Sequence, residues 1–357
     1  MTIAAAMTDP DLPRVSVVIP VRNEETFIGH NLAAVLAQDY PSDRLEILVA
    51  DGQSTDRTRD IIKQVAERVA HDGSGSRVVL VDNPQRIMPT GTNEAIRQST
   101  GDVIVLMGGH AKMPSNYLRA CVTTLIERQA DAASGAVESV GTGLVGEAIA
   151  AAMSSPFGIG NSGFRTATSG EPFEVDTIPF GAYRRTVFER IGLFNPNMVR
   201  HQDYEFNYRV RMSGGRMLLI PGLRATYHVR STITALWKQY WPNGIWKGRF
   251  LRRFPQSLRM RHLVPSLFSL ALLLTAIGGL LFPPLRILFG AVAGAYLGFI
   301  IVALMVFAAK GHWRILPVLP AVMLCLHLSY GLGVWWGLML PSVPPAPRLE
   351  PSSQPFA

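Results

Sequence analysis

The chain has 357 residues, 48% of them hydrophobic and 17% charged, with two cysteines and a formal charge of +8. That composition excludes an intrinsically disordered or collagen-like chain, and Cys121 and Cys325 alone exclude a disulfide framework or a Cys-rich metal site. The basic excess would permit a nucleic-acid partner, but Lys247, Arg249, Arg252, Arg253, Arg259 and Arg261 gather directly before the first long apolar run. There a membrane surface accounts for them, and no nucleic acid is expected.

Residues 1–13 carry Asp9 and Asp11 and no secretory pattern, so a flexible N-terminus is expected, with the domain after it in the cytoplasm. Val15–Val21 is a nearly continuous β-branched run, the pattern of a parallel strand covered on both faces, and 45–50, 78–81 and 103–107 repeat it. Helical spacing runs between them over 25–36, 56–69 and 90–99, the second with Ile61, Ile62, Val65 and Val69 behind a Ser-Thr-Asp start signal. This alternation predicts an α/β fold with a mostly parallel, doubly wound sheet that binds ligands at the carboxyl ends of its strands.

A strand over 132–140 is followed by a Gly/Ser-rich region, 154–181, expected to form mobile loops around a site, and by helix-like stretches at 183–191 and 203–213. Residues 14–230 would form one soluble domain and 231–263 an interfacial amphipathic segment. The uncharged runs 264–282, 287–309 and 315–340 reach about 28, 34 and 39 Å as helices and predict three membrane spans, before a Pro-rich tail, 341–357. The basic loop 310–314 sets residues 1–263 on the cytoplasmic side of an inner or plasma membrane.

The first strand ends in Pro20-Val-Arg-Asn-Glu24 and the second in Asp51-Gly-Gln-Ser-Thr-Asp56. Carboxylates at the tips of adjacent parallel strands share a crevice, where they can accept hydrogen bonds from a base N–H and from ribose hydroxyls. No G-x-G-x-x-G follows the first strand, which argues against a nicotinamide dehydrogenase. By itself the Asp51–Asp56 segment reads equally well as a plain turn and helix cap.

Pro20-Val-Arg-Asn-Glu24, Gln38-Asp-Tyr-Pro41, Glu46-Ile-Leu-Val-Ala-Asp-Gly-Gln-Ser-Thr-Asp56 and Gly91-Thr-Asn-Glu-Ala95 together resemble a family 2 glycosyltransferase with the GT-A fold. The apolar tail and His201-Gln-Asp-Tyr-Glu-Phe-Asn-Tyr-Arg209 resemble the succinoglycan-type membrane enzymes of exopolysaccharide synthesis. The resemblance implies a nucleotide-sugar donor, usually a UDP-sugar, held by Pro20, Glu24, Asp51, Asp56, Asn93 and Gly108. It implies a lipid-linked or polysaccharide acceptor near Gln202, Gln239 and Trp241, with Asp203 as the general base of an inverting transfer and Glu205 as a second carboxylate. A helix N-terminus favours negative charge at Asp203, although a simple capping role would fit the same position.

Such enzymes carry D-x-D or D-G-H after the fourth strand to bind a divalent metal, Mn²⁺ or Mg²⁺. Here the stretch is Val105-Leu-Met-Gly-Gly-His-Ala111, with Gly108 where the first Asp is expected. His110 and His228 are the remaining candidate ligands, and a lone imidazole suits Mg²⁺ poorly, so metal dependence is in doubt. Arg86, Lys112 or Arg230 would then offset the charge of the leaving diphosphate. At the Q-x-x-R-W position of polymerising relatives, Gln239 is kept but Pro242 and Asn243 intervene, which disfavours a processive synthase. A non-catalytic nucleotide-sugar-binding membrane scaffold is the alternative from another class.

Overall fold

A computed structural model describes residues 12–109 and 112–346. In chain order its elements are β1 (Val15–Val21), α1 (Ile28–Leu36), β2 (Leu45–Asp51), α2 (Thr58–His71), β3 (Arg77–Asp82), α3 (Met88–Gln98), β4 (Val103–Leu106), α4 (Tyr117–Glu127) and β5 (Ala132–Val140). Next come α5 (Gly143–Met153), α6 (Pro156–Ile159), α7 (Gly163–Thr166), β6 (Phe173–Glu174), β7 (Ala182–Arg184), α8 (Arg185–Ile191), α9 (Gln202–Met212) and β8 (Met217–His228). The chain closes with α10 (Ile233–Arg253), α11 (Met260–Leu281), α12 (Pro284–Ala309) and α13 (Leu319–Met339). Two compact units emerge: one of residues up to Val137 with Ala167–Thr226, the other of Glu138–Thr166 with Tyr227–Pro344.

The first unit is built on the sheet order β3-β2-β1-β4-β7-β5-β8-β6. β1 pairs in parallel with β2 on one side and β4 on the other, so the strand order reverses at β1 and leaves a crevice at the carboxyl ends. Val18 accepts its bond from Met107 on the β4 side, and Pro20, two residues on, turns its N–H-less edge the same way, past the last β4 partner at Leu106. One face of the sheet buries Ile28, Leu32 and Val35 of α1, Ile62 and Val65 of α2, and Leu118 and Val122 of α4. The other buries Ala95 and Ile96 of α3, Phe188 of α8, and Phe206 and Val210 of α9.

Helicity over 183–191 is only partly found. Ala182–Arg184 is a strand, antiparallel to both β4 and β5, and helix begins only at Arg185. Buried Ala182 and Tyr183 there fill the seam between β4 and β5, a long-range demand that overrides local spacing. Within 154–181 the chain forms the short helices α6 and α7 rather than loop throughout.

In the second unit α11, α12 and α13 are each long and apolar enough to cross a membrane. α5, from a stretch expected in the single soluble domain, buries Ala148, Ile149, Ala152 and Met153 in a cluster with Leu236, Ile300, Ala303, Phe307, Leu319, Val322 and Met323. α10 runs beside α13 in the same direction, backbone against backbone. A Cβ on Gly244 would lie 2.3 Å from the Tyr330 carbonyl oxygen, and one on Gly248 2.2 Å from that of Val334. Reciprocally, a Cβ on Gly333 would meet the Trp241 oxygen at 2.5 Å and one on Gly337 the Ile245 oxygen at 2.1 Å. These are two interlocking G-x-x-x-G pairs. Arg249 and Arg252 then donate to the carbonyls of Pro341, Leu338 and Leu340, closing the C-terminal end of α13.

Candidate active site

Parallel register sets Val21, Asp51 and Asp82 side by side at the carboxyl ends of β1, β2 and β3. Asp51 is fully buried and ion-paired: Arg59 Nη1 donates to its Oδ2 at 2.7 Å and to Asp82 Oδ1 at 2.9 Å. Those two hydrogen bonds, to Asp82 and then to Asp51, raise the pKa of the Arg59 guanidinium above its usual value. The Ser54 N–H and hydroxyl also donate to Asp51, which thereby anchors the loop that follows β2.

That loop is latched reciprocally to the one after β1. Asn23 N–H donates to Ser54 Oγ at 2.8 Å while Asn23 Oδ1 accepts from Thr55 N–H at 2.9 Å. Glu25 N–H donates to Asp56 Oδ2 at 3.2 Å and Glu25 Oε2 accepts from Arg57 N–H at 3.0 Å. Glu24 N–H donates to Thr58 Oγ1 at 2.8 Å. Asp56 Oδ1 also takes the N–H and hydroxyl of Thr58. Desolvation acts to raise the Asp56 pKa, but the bonds from Thr58 and Glu25 together outweigh it and lower the pKa below the ordinary aspartate value.

Asn23, Gln53, Arg86 and His201 all hold left-handed backbone, with φ of 54°, 53°, 58° and 57°. Their strain gathers in the loops after β1, β2 and β3 and at the start of α9, as backbone strain does around functional sites. Arg86 lies at the carboxyl end of β3 and donates twice to Gln53 Oε1, at 2.9 and 2.7 Å.

The turn after β4 lies against Glu24, since a Cβ on Gly109 would sit 3.0 Å from Val21 Cγ1 and 3.4 Å from Glu24 Cγ. Buried Asn31 of α1 donates to the carbonyl oxygens of Gly108 at 3.0 Å and Gly109 at 2.6 Å. The turn therefore engages both carbonyls through Asn31 and offers no side chain at either glycine, so among the described residues it supplies no carboxylate to a divalent metal. Among the described residues no group of three His, Cys, Asp or Glu could hold one. His110 lies outside the described residues. Lys112, just beyond, accepts from Thr226 N–H at 2.8 Å through its backbone.

Asn93 is spent on position rather than presented. Its amide donates to the Phe194 carbonyl at 2.8 Å and accepts from the Phe194 N–H at 2.9 Å, and Phe194 stacks on Phe206 of α9 at 4.3 Å. α9 is held from beneath by Asn207, which accepts from the Tyr183 hydroxyl at 2.7 Å and donates to Thr177 and Ile178. Burial, and then the nearby Asp203 charge, push the Tyr183 hydroxyl well above its usual pKa. Asp203 itself is exposed in the first turn of α9. Glu205, two residues on, is buried and clamped by Arg209 at 2.8 and 3.0 Å, while Arg209 also donates to the Ile191 and Leu193 carbonyls. One carboxylate is left accessible and the other is neutralised. Gln202 meets the Met88 sulfur at 2.8 Å.

The first unit thus brings together Pro20, Glu24, Asp51, Asp56 and Gly108 at the strand ends. His228, Arg230, Gln239 and Trp241, also singled out in the sequence, lie in the second unit. His228 is the exposed last residue of β8 and Arg230 follows it in the chain. Gln239 donates to the Tyr227 hydroxyl at 3.0 Å, and Trp241 stacks nearly parallel on Trp237 at 6.2 Å.

The family model described as Glycosyl transferase family 2 matches residues 16–192. The chain carries that domain and is a glycosyltransferase. Over 273 residues, 75% of this chain and 82% of the relative, it is 29% identical to the dolichyl N-acetyl-alpha-D-glucosaminyl phosphate 3-beta-D-2,3-diacetamido-2,3-dideoxy-beta-D-glucuronosyltransferase of Methanococcus voltae. It is 26% identical to the succinoglycan biosynthesis protein ExoA of Rhizobium meliloti, covering 90% of this chain and 94% of that one. Among solved structures it is similar to the mannosyltransferase PcManGT of Pyrobaculum calidifontis in complex with GDP-Man and Mn²⁺, with TM-score 0.54 and 20% identity over 90% of this chain and 88% of the other. The sheet and its flanking helices make the glycosyltransferase domain a GT-A fold.

Sequence reasoning missed Asn31, Arg59 and Asn207. An asparagine on the apolar face of α1, in Ile28-Gly-His-Asn-Leu32, was a usable signal, because a buried amide must find partners. Gln38 and Tyr40, part of a motif that carried no assigned role, are braces: Gln38 bonds the Pro114 carbonyl and the Leu118 N–H, and the Tyr40 hydroxyl donates to the Pro13 carbonyl at 2.5 Å.

Proposed function

We propose that this glycosyltransferase is an inverting, membrane-anchored enzyme that moves one sugar from a nucleotide sugar to a lipid-linked acceptor in exopolysaccharide or cell-envelope glycan synthesis. The observation that carries the reading is the pair on α9: Asp203 exposed in its first turn, Glu205 locked by Arg209. Asp203 takes the proton of the acceptor hydroxyl as that oxygen attacks the anomeric carbon, and the nucleoside diphosphate departs in the same displacement. The donor's base and ribose lie at the strand ends among Pro20, Glu24, Asp51 and Asp56, with the diphosphate toward Gly108. Asn93 acts by fixing Phe194 and, through it, α9. Arg86, braced on Gln53, supplies positive charge for the leaving diphosphate. No step is assigned to a metal, because the described Gly108–Gly109 turn supplies no carboxylate to hold one.

Two of the relatives support the acceptor class: one is named for a dolichyl-phosphate-linked substrate and the other for succinoglycan biosynthesis. The three apolar helices support a membrane location.

The test is nucleoside diphosphate release from UDP-, GDP- and TDP-sugars by membranes carrying the wild type or Asp203→Asn, with Mn²⁺ or with chelator. Release from one donor should fall at least about 100-fold in Asp203→Asn, the scale of a lost general base. An Asp203→Asn protein with full transfer activity overturns the reading. Binding of a nucleotide sugar without turnover in the wild type would select a non-catalytic scaffold instead.

A further inference from the structure

In the second unit the Arg165 side chain is flanked by two aromatic rings. The Arg165 guanidinium carbon lies 5.4 Å from the centre of the Phe164 ring and 5.1 Å from that of Tyr227. Its Nη1 donates to Ser139 Oγ at 2.9 Å. Ser139 is brought beside Tyr227 because the Val229 N–H donates to the Val140 carbonyl, joining the ends of β5 and β8. No acidic group among the described residues pairs with Arg165, whereas Arg59, Arg119, Arg190 and Arg209 of the first unit each have a carboxylate partner.

Around this cation the other groups are neutral hydrogen-bonding side chains. The Tyr227 hydroxyl accepts from Gln239 at 3.0 Å, leaving its own proton to donate. Tyr240 lies within the field of Arg165. Burial pushes its hydroxyl up to about 12, with the Arg165 charge opposing, so it is a protonated donor at neutral pH. Tyr227, Val229, Ile233 and Tyr240, with Phe157 and Ile159 of α6, pack directly on the apolar cluster formed by α5, α12 and α13. A half-buried guanidinium with unused N–H groups, flanked by hydroxyl donors and set at the rim of an apolar cluster, lacks one thing: an anion joined to a long apolar chain.

We propose that Arg165 binds the phosphate of a long-chain lipid phosphate ester whose chain lies against the apolar cluster of α5, α12 and α13. Arg165 supplies the charge, Tyr227 and Tyr240 donate hydroxyl protons to the remaining phosphate oxygens, and Ser139 with the two rings holds the guanidinium in place. The proposal deepens the lipid-linked acceptor reading and rests on it, but it concerns where the phosphate sits and is read by binding alone. Two lipids carry the required group, a polyprenyl phosphate and a bulk anionic phospholipid, and competition between them separates the two.

Full-length protein in phosphatidylcholine nanodiscs is titrated with decaprenyl phosphate, with decaprenol lacking the phosphate, and with phosphatidylglycerol as competitor. The wild type should bind decaprenyl phosphate at least about tenfold more tightly than decaprenol, the scale of a charge-assisted contact. Arg165→Gln, close in shape and uncharged, should lose that preference while keeping decaprenol binding. Arg165→Lys, which keeps the charge and guards against misfolding of the neutral variant, should fall between the two. Equal binding of decaprenyl phosphate by wild type and Arg165→Gln overturns the proposal. Displacement by phosphatidylglycerol at equal mole fraction assigns the site to bulk lipid, and resistance to it assigns it to the polyprenyl phosphate. Asp203→Asn should bind decaprenyl phosphate as the wild type does, so failure of the catalytic reading would show in transfer and leave this binding intact.

Discussion

The strand-end crevice and the α10–α13 pair both require backbone segments distant in sequence to come close, and they meet that requirement by opposite means. In the crevice, polar side chains reach across: Asn23 to Thr55, Asp56 to Glu25, Asn31 to Gly108 and Gly109. Between α10 and α13 side chains are removed altogether at Gly244, Gly248, Gly333 and Gly337, so that carbonyls touch Cα atoms. A hydrogen-bonded latch can open and reform for about 1 kcal/mol, which suits loops that admit and release a nucleotide. A glycine contact has no such reserve, since any added atom forces the helices apart.

The sharpest way to break the contrast is to substitute in each region. Gly248→Leu should cost more than about 3 kcal/mol, because its Cβ alone would overlap the Val334 oxygen, and the protein should fail to elute as a monodisperse peak in mild detergent. Asn31→Ala should cost about 1–3 kcal/mol by removing the donor to the buried Gly109 carbonyl and the half-buried Gly108 carbonyl. It should raise KM for the nucleotide sugar more than it lowers kcat, as measured by diphosphate release. If Asn31→Ala instead leaves KM unchanged, the turn it holds does not face the donor.

The smallest effect is expected at Asp56. Its pKa is lowered on folding, so its contribution is fully present above the ordinary aspartate value and is lost as pH falls through the lowered one. Asp56→Asn should therefore lower Tm slightly at neutral pH, with the difference from the wild type vanishing as pH falls, so that the acid limb of a pH-against-Tm curve flattens. A steeper acid limb in the variant would contradict the hydrogen bonds described for its carboxylate.

Much of the fold was legible because β-branched runs and helical spacing are local signals. β1 coincides with the run Val15–Val21, and the start of α9 falls within one residue of the expected position. The motif positions at the ends of β1 and β2 were equally legible as members of one crevice. What stayed hidden was which atoms were already spent. Asp51 looks available until Arg59, eight residues on, is seen to claim it, and Asn93 is taken by Phe194 from 101 residues away. α5 was misplaced in the soluble domain because Gly143-Leu-Val-Gly-Glu-Ala-Ile-Ala-Ala-Ala-Met153 is too short for a span and rich in small residues. Its membership in the helical unit depends on partners more than 140 residues later, among them Phe307 and Val322.

The side-by-side course of α10 and α13 also sets an order of events during synthesis. The Arg249 side chain meets its carbonyl at Pro341, 92 residues further along the chain. At about 5–20 residues per second, α10 leaves the ribosome roughly 5–20 s before the helix it must nest against exists. Through that interval a segment holding Lys238, Lys247 and Arg249 among its aromatics waits with its glycine face bare. A chain that stalls or is truncated between α12 and α13 would finish with a complete nucleotide crevice and an unmated helix, a natural substrate for quality-control proteases.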